Sequence, residues 1–393
     1  MNGMNTAETP KKIMPIIGTR PEAIKLAPVI HALQRYPEYF NVVPVLTAQH
    51  REMLDQMCSV FNIQACYDLN IMLKGQSLAD VTTRALQGIA GLIDKEKPDM
   101  IMAQGDTTTV FSAALSSFYY RIPFAHVEAG LRTQDRYSPF PEEINRRLTS
   151  PLTEVHLAPT ETARRNLLKE NIKPETIYVT GNTVIDALFY ILDKPELKQQ
   201  NLIETLNIEP KKFILVTAHR RESFGEPFRH ICHGLKKVAD AYPDYTIVYP
   251  VHLNPNVQQP VNEILSGSPN VRLIEPLDYV QFIHLLKDAY LVITDSGGIQ
   301  EEAPSLGIPV LVLREITERP EAVEAGTVKL VGSDTGRIFG EVQRLMENRT
   351  AYDEMARAIN PYGDGKAAER IISVLKHFFK IGHDCPISEF SSI

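Results

Sequence analysis

Short apolar runs alternate along this chain with stretches whose apolar positions recur every three to four residues. Residues 13–17, 42–46, 99–103, 122–127, 154–158 and 176–179 read as strands, and the spacing between them predicts helices over 23–35, 50–61, 77–94 and 108–119. Strands that are apolar throughout, rather than at every second position, belong in a parallel sheet covered on both faces. After the polar stretch 194–212 a second series begins, with strands at 213–217, 246–249, 271–274, 290–294 and 309–313. The pattern predicts an α/β protein of two doubly wound, Rossmann-like halves with a boundary near 182–200. Two such halves facing each other leave a central cleft lined by strand C-termini, where open α/β sheets bind ligands. The run Asn360-Pro361-Tyr362-Gly363-Asp364-Gly365 breaks the chain before a last helix over 366–380, and the tail from Gly382 is expected to fray. Pro15 fits this scheme poorly, because proline inside a central strand loses a ladder hydrogen bond. Either the strand is interrupted there or Pro15 is its first paired residue.

Two strand-to-helix turns have the makings of anion sites. Gly18-Thr19-Arg20-Pro21-Glu22 follows the first strand, with a glycine for the tight turn, a proline near the helix start, and Arg20 and Lys25 available to an anion. Asp295-Ser296-Gly297-Gly298-Ile299-Gln300-Glu301-Glu302 follows the strand near 291–294. Gly297 and Gly298 let main-chain N–H groups approach a diphosphate, Ser296 begins the helix, and Glu302 stands one turn in, placed for ribose hydroxyls. His219, Arg220 and Arg221 end the first strand of the second half, and Arg314 and Arg319 follow a later one. Arginine meets a diphosphate bidentately, and a histidine can donate to an anion or move a proton.

Acids gather at strand ends of the first half. Asp106 follows one strand, Glu128 the next, and Glu142 and Glu143 open the segment after that. Each has an ordinary explanation: Asp106 as a helix cap, Glu142 and Glu143 as first-turn charges favoured by the helix dipole. Three acids at neighbouring strand ends opposite a diphosphate site point instead to a proton-transfer set. Like charges held close raise one another's pKa toward neutrality.

The 393 residues exceed one ordinary core, and the 44% apolar and 23% charged fractions are those of a globular protein. A net charge of -7 without a basic run argues against nucleic acid as a partner. No signal-peptide pattern and no run long enough to span a bilayer occurs, so a cytoplasmic protein with no membrane partner is expected. The four cysteines are scattered and read as reduced thiols. Histidines 50, 126, 219 and 252 lie far apart, no metal-ligand spacing is present, and neither a metal nor a cofactor is expected; His126, at an apolar strand end, reads as structural.

With these blocks in place the chain resembles the non-hydrolysing UDP-N-acetylglucosamine 2-epimerases over about residues 12–380. The resemblance rests on Gly18–Glu22, Gln104-Gly105-Asp106-Thr107, His126–Arg132, Pro141–Arg146, Ala218–Glu222, Asp295–Glu302, Glu318-Arg319-Pro320-Glu321 and Asn360–Gly365. It implies the fold of the B-type glycosyltransferases, with a first domain over 1–182, a UDP-binding domain over 183–365, and the helix 366–380 crossing back to the first. It implies interconversion of UDP-GlcNAc and UDP-ManNAc by a homodimer, supplying ManNAc units to bacterial surface polysaccharides. Asp106, Glu128, Glu142 and His219 match the family's catalytic candidates. Arg20, Lys25, Arg146, Ser296, Gly297, Gly298, Glu302 and Arg319 match substrate-binding positions. Gln49, His50 and His252 match part of a second, activating site. Glu315 and Lys74-Gly75 depart from the family pattern, the latter at a position linked to activation.

The C2 hydrogen of such a sugar is not beside a carbonyl and is barely acidic. Loss of UDP develops oxocarbenium character at C1, which acidifies C2–H and permits elimination to 2-acetamidoglucal, followed by re-addition. The competing readings are a UDP-sugar glycosyltransferase, which needs an acceptor site; a hydrolysing epimerase, which releases free ManNAc; and a nucleotide-sugar sensor, which has little use for three acids.

Overall fold

A computed structural model describes residues 9–47, 51–73, 75–194, 197, 202–382 and 387–391. The chain divides into two compact units, one of Met1–Ala187 with Tyr362–Ser391, the other of Leu188–Pro361. The first is built on β1 (Lys11–Ile17), β2 (Phe40–Val42), β3 (Val45–Leu46), β4 (Tyr67–Asp68), β5 (Met100–Gln104), β6 (Phe124–Val127), β7 (Val155–Ala158) and β8 (Ile177–Val179). These form a sheet in the order β4-β3-β1-β5-β6-β7-β8, with β2 also on β1, and every recorded pairing is parallel. The second is built on β9 (Phe213–Thr217), β10 (Thr246–Pro250), β11 (Val271–Ile274), β12 (Leu291–Thr294), β13 (Val310–Val312) and β14 (Val328–Leu330), in the order β11-β10-β9-β12-β13-β14, again parallel. All residues of β5, β6 and β12 are buried, as continuous apolar strands between two helix layers must be. The short β4 and β14 were not visible in the apolar pattern, since neither carries a run of apolar residues.

Pro15 resolves in a third way. β1 is continuous through it and registers Pro15 against Met102 of β5. On the opposite side its partner is split, with β2 registering against residues 11–13 and β3 against 16–17. Odd-numbered residues of β1 face that side, as the bonds from Val43 N to Ile13 O and from Thr47 N to Ile17 O establish. The missing N–H of Pro15 therefore falls at the gap, where Pro44 interrupts the neighbour, and no ladder bond is lost.

The last helix, Ala367–Phe379, belongs to the first unit and packs on helix Arg20–Gln34, with the Lys376 ammonium 3.8 Å from the Tyr36 ring centroid. Its start is held by Asp186, which accepts the N–H groups of Ala367 (3.2 Å) and Ala368 (2.8 Å). Part of the tail expected to fray is instead tied down. Phe390 N donates to Val179 O at 2.8 Å, and the Glu389 carboxylate accepts Val179 N and pairs with Arg164. The open edge of β8 supplies those unpaired main-chain groups. Cys58, Cys66 and Cys232 are free thiols, and Cys385 lies outside the described residues. Among the described residues no helix is long and apolar enough to cross a membrane.

Candidate active site

In the first unit, three turns leave the C-terminal ends of the neighbouring strands β1, β5 and β6. The turn after β5 runs through Gly105 at φ +86° to Asp106 and Thr107. Thr107, not Asp106, caps the helix Thr108–Tyr120, its hydroxyl accepting Val110 N at 3.4 Å. Asp106 is thereby free for another partner. Its Oδ2 takes Arg146 Nε at 2.9 Å and Nη2 at 2.7 Å, and its carbonyl takes Asn145 Nδ2 at 2.9 Å. After β6 the chain turns through Glu128 at φ +67°, a conformation that costs a non-glycine residue free energy and aims its side chain out of the strand. Glu128 Oε2 accepts Lys25 Nζ at 2.5 Å and Gln104 Nε2 at 3.0 Å.

Glu142 opens the helix Glu142–Thr149, which carries both Asn145 and Arg146. Residues three and four apart share a helix face, so Glu142 lies on the side that grips Asp106. Its Oε2 is buried and has no hydrogen-bond partner among the described residues. The adjacent Glu143 is fully buried and structural. Burial pushes its carboxyl up, but hydrogen bonds from Thr133 N and Arg147, with the charges of Arg146 and Arg132, outweigh that and hold it below the usual range. The acids therefore differ from the expected set of bare like charges, because Asp106 and Glu128 are each compensated by a cation from another element. Lys25, read as an anion contact, sits on Glu128. Arg20 occupies the first position of its helix, half-buried, with no ion pair among the described residues.

His126 is buried in β6 with its Nε2 2.6 Å from Gly105 O. Burial pushes its pKa down to about 4, so the ring is neutral and donates that hydrogen bond, which fits the structural reading. Glu22, in the sequence only one residue of a strand-to-helix turn, is a buried carboxyl receiving Gly18 N (2.5 Å), Thr19 N (3.0 Å) and the Thr107 hydroxyl (2.6 Å). The Thr-x-x-Glu spacing of a capping box was the signal that could have found it.

In the second unit, His219 follows β9 and Asp295 follows the adjacent β12. Asp295 is 1% exposed; its Oδ2 accepts the N–H groups of His219 (2.6 Å) and Arg220 (2.7 Å), and Oδ1 lies 3.6 Å from His219 Nδ1. The His219 ring stacks on His252, centroids 5.2 Å apart and planes 9° from parallel. Burial lowers the His219 pKa, Asp295 opposes, and His252 and Arg220 add to the lowering; the net shift is downward. His252, read as part of a second site, thus touches a catalytic candidate. Its two companions there, Gln49 and His50, lie outside the described residues, as does Lys74.

Ser296 precedes the six-residue helix Gly297–Glu302. Arg319 pairs with the buried Glu301, and its Nη2 would stand 3.7 Å from a Cβ placed on Gly297, so the guanidinium lies against the glycine turn. Glu302 is buried and accepts the Tyr279 hydroxyl at 2.6 Å. Arg314 pairs with Glu222, and Glu315 stands near Arg337 at the surface. Asp295 and Glu301 have no role legible in the sequence; only the folded chain shows that Asp295 holds the His219 turn and Glu301 holds Arg319. Among the described residues no group of three or more His, Cys, Asp or Glu side chains is placed to hold a metal ion.

A model of the family described as UDP-N-acetylglucosamine 2-epimerase matches residues 31–376. The chain is 55% identical over 373 residues to the UDP-N-acetylglucosamine 2-epimerase of Salmonella typhimurium, covering 93% of this chain and 99% of that protein. A crystal structure of UDP-GlcNAc 2-epimerase from Neisseria meningitidis bound to UDP-GlcNAc superposes with a TM-score of 0.82 at 49% identity, covering 93% of this chain and all of that one. A glycosyltransferase from Rickettsia africae superposes at a TM-score of 0.63 over 95% of this chain and 100% of that one; at 13% identity it speaks for the fold alone.

Proposed function

The chain belongs to the UDP-N-acetylglucosamine 2-epimerase family of isomerases, and from that premise we propose that it interconverts UDP-GlcNAc and UDP-ManNAc by anti elimination of UDP and re-addition to 2-acetamidoglucal. In the second unit Ser296, Gly297, Gly298 and Arg319 hold the diphosphate and Glu302 takes the ribose; in the first unit Arg20 is a substrate contact. Charge building on the departing UDP is stabilised by these donors and by His219, whose orientation Asp295 fixes. As C1–O breaks, cationic character at C1 loosens the C2 proton. Asp106, Glu128 and Glu142 then take it from one face and return one on the other. Arg146 and Lys25 hold Asp106 and Glu128 in place until substrate arrives. The protein works as a homodimer and supplies ManNAc units for a surface polysaccharide.

The observation that carries this reading is Glu142 Oε2, a buried carboxyl oxygen without a hydrogen-bond partner among the described residues, on the helix face that grips Asp106. Natural structures rarely leave such an atom unmatched, and a catalytic role is one of the reasons, beside a bound water or ion, for which they do. The test is incubation of UDP-GlcNAc alone in D₂O, followed by NMR. Deuterium at C2 of both epimers, without an acceptor and without free ManNAc, is expected. Release of free sugar, or a C2 hydrogen that never exchanges, refutes the mechanism.

A further inference from the structure

We propose that Glu22 is a positioning residue for Asp106, tying the turn after β1 to the turn after β5 through one buried carboxylate. The inference rests on the reading of Asp106 as a proton-transfer group. A capping-box glutamate needs only the main-chain donors of its own turn. Glu22 has those, from Gly18 and Thr19 on Oε2, but its Oε1 reaches across to the Thr107 hydroxyl at 2.6 Å. Thr107 is the residue after Asp106, and the same hydroxyl caps the helix Thr108–Tyr120. The turn after β1 also packs closely on the first turn of the helix Thr108–Tyr120, since a Cβ on Gly18 would clash with the Thr109 hydroxyl. A shift of either turn is therefore passed to the other. Asp106 is gripped on its far side by Asn145 and Arg146. Its main chain is thus held from helix Glu142–Thr149 on one side and, through Thr107, from Glu22 on the other.

The tie responds to protonation. Burial pushes the Glu22 carboxyl up to about 7, against the lowering effect of Thr107, Gly18 and Thr19, while the nearby charge of Asp106 raises it further. Asp106 is the charged group facing it from the turn after β5; Gly18 and Thr19 face it from the turn after β1 as main-chain donors only; Arg146 stands beyond Asp106, and Lys25 of its own helix is turned to Glu128. With both main-chain donors on Oε2, a proton can sit only on Oε1, where the bond to the Thr107 hydroxyl must then reverse direction.

The experiment compares full-length wild type with Glu22→Gln, Thr107→Val, Thr107→Ser, the double variant Glu22→Gln/Thr107→Val, and Asp106→Asn, following epimerisation of UDP-GlcNAc by NMR from about pH 6 to about pH 9. Glu22→Gln and Thr107→Val are expected to lower kcat at least about tenfold with KM changed less than about threefold. The double variant should fall no further than the worse single one, because each removes the bond from the Thr107 hydroxyl to the carboxylate, Thr107→Val taking the cap on Val110 N with it. Thr107→Ser should restore turnover, and the acid limb of kcat in wild type should vanish in Glu22→Gln. Wild-type kcat and acid limb in Glu22→Gln beside an inactive Asp106→Asn overturns the inference alone. So does multiplication of the two losses, or loss of activity that only follows loss of melting temperature. Near-wild-type turnover in Asp106→Asn overturns the reading of the site, and the inference with it.

Discussion

Glu128 and Asp106 are held by different cations, so each can be disabled singly without unpacking the other. Glu128→Gln and Asp106→Asn keep volume and one acceptor oxygen while removing the basic carboxylate. Each is expected to lower turnover by about 10²- to 10⁴-fold with near-UV and far-UV circular dichroism unchanged. Near-normal turnover by both would refute the proton-transfer assignment. Glu22 and His126 make opposite contributions to stability against pH. Glu22 is raised from 4.5 to about 7 in the folded state. Between those values the folded protein keeps a proton that the unfolded chain has released, so stability falls as pH rises through that window. His126 is lowered from 6.5 to about 4, so the unfolded chain binds a proton the folded one refuses, and stability falls as pH drops through that window. Urea titrations at about pH 5 and about pH 7.5 should therefore show Glu22→Gln gaining on wild type with rising pH, by on the order of 2 kcal/mol. Parallel pH profiles for the two proteins would contradict this.

At the scale of elements, the acids depend on turns whose geometry leaves little tolerance. Gly130 follows Glu128 at φ +94°, and a Cβ there would come within 2.3 Å of the Ala163 carbonyl oxygen. Gly130→Ala combines strain with a main-chain clash, and more than about 1 kcal/mol of stability should be lost, read by urea denaturation. The last helix depends on a cap from outside itself, Asp186, because its own N-terminal residue Lys366 offers none. Asp186→Ala is expected to cost about 1–2 kcal/mol by the same measurement. The strand and helix pattern was readable in advance because apolar periodicity is local, and most predicted elements fall within a few residues of the observed ones. β4 and β14 were not, since their two- and three-residue ladders are defined by a neighbouring strand rather than by their own side chains.

At the scale of the whole molecule, the first unit is built from two separated stretches of chain. Helix Ala367–Phe379 returns to it and buries Ile371, Ile372, Val374 and Leu375. Full burial of such side chains stabilises by about 1.5–3 kcal/mol each, together comparable with the 5–15 kcal/mol that holds an ordinary domain folded. A chain ending at Pro361 should therefore lose the cooperative thermal transition of the first unit, followed by circular dichroism. Retention of that transition would mean the helix is dispensable. The sequence by itself determined the alternation of strands and helices, the two parallel sheets, and the blocks that carry the family, because each of these is written in residues close together along the chain. Only the tertiary structure decided the partners: Lys25 for Glu128, 103 residues away, Arg146 for Asp106, 40 residues away, and His252 on His219. Those pairings follow from which strand ends become neighbours, β1 beside β5 beside β6, and β10 beside β9. A charge or a ring has no periodicity from which its partner can be inferred, so the cations that compensate the acids and the carboxylate that ties two turns together appear only once the sheet order is set.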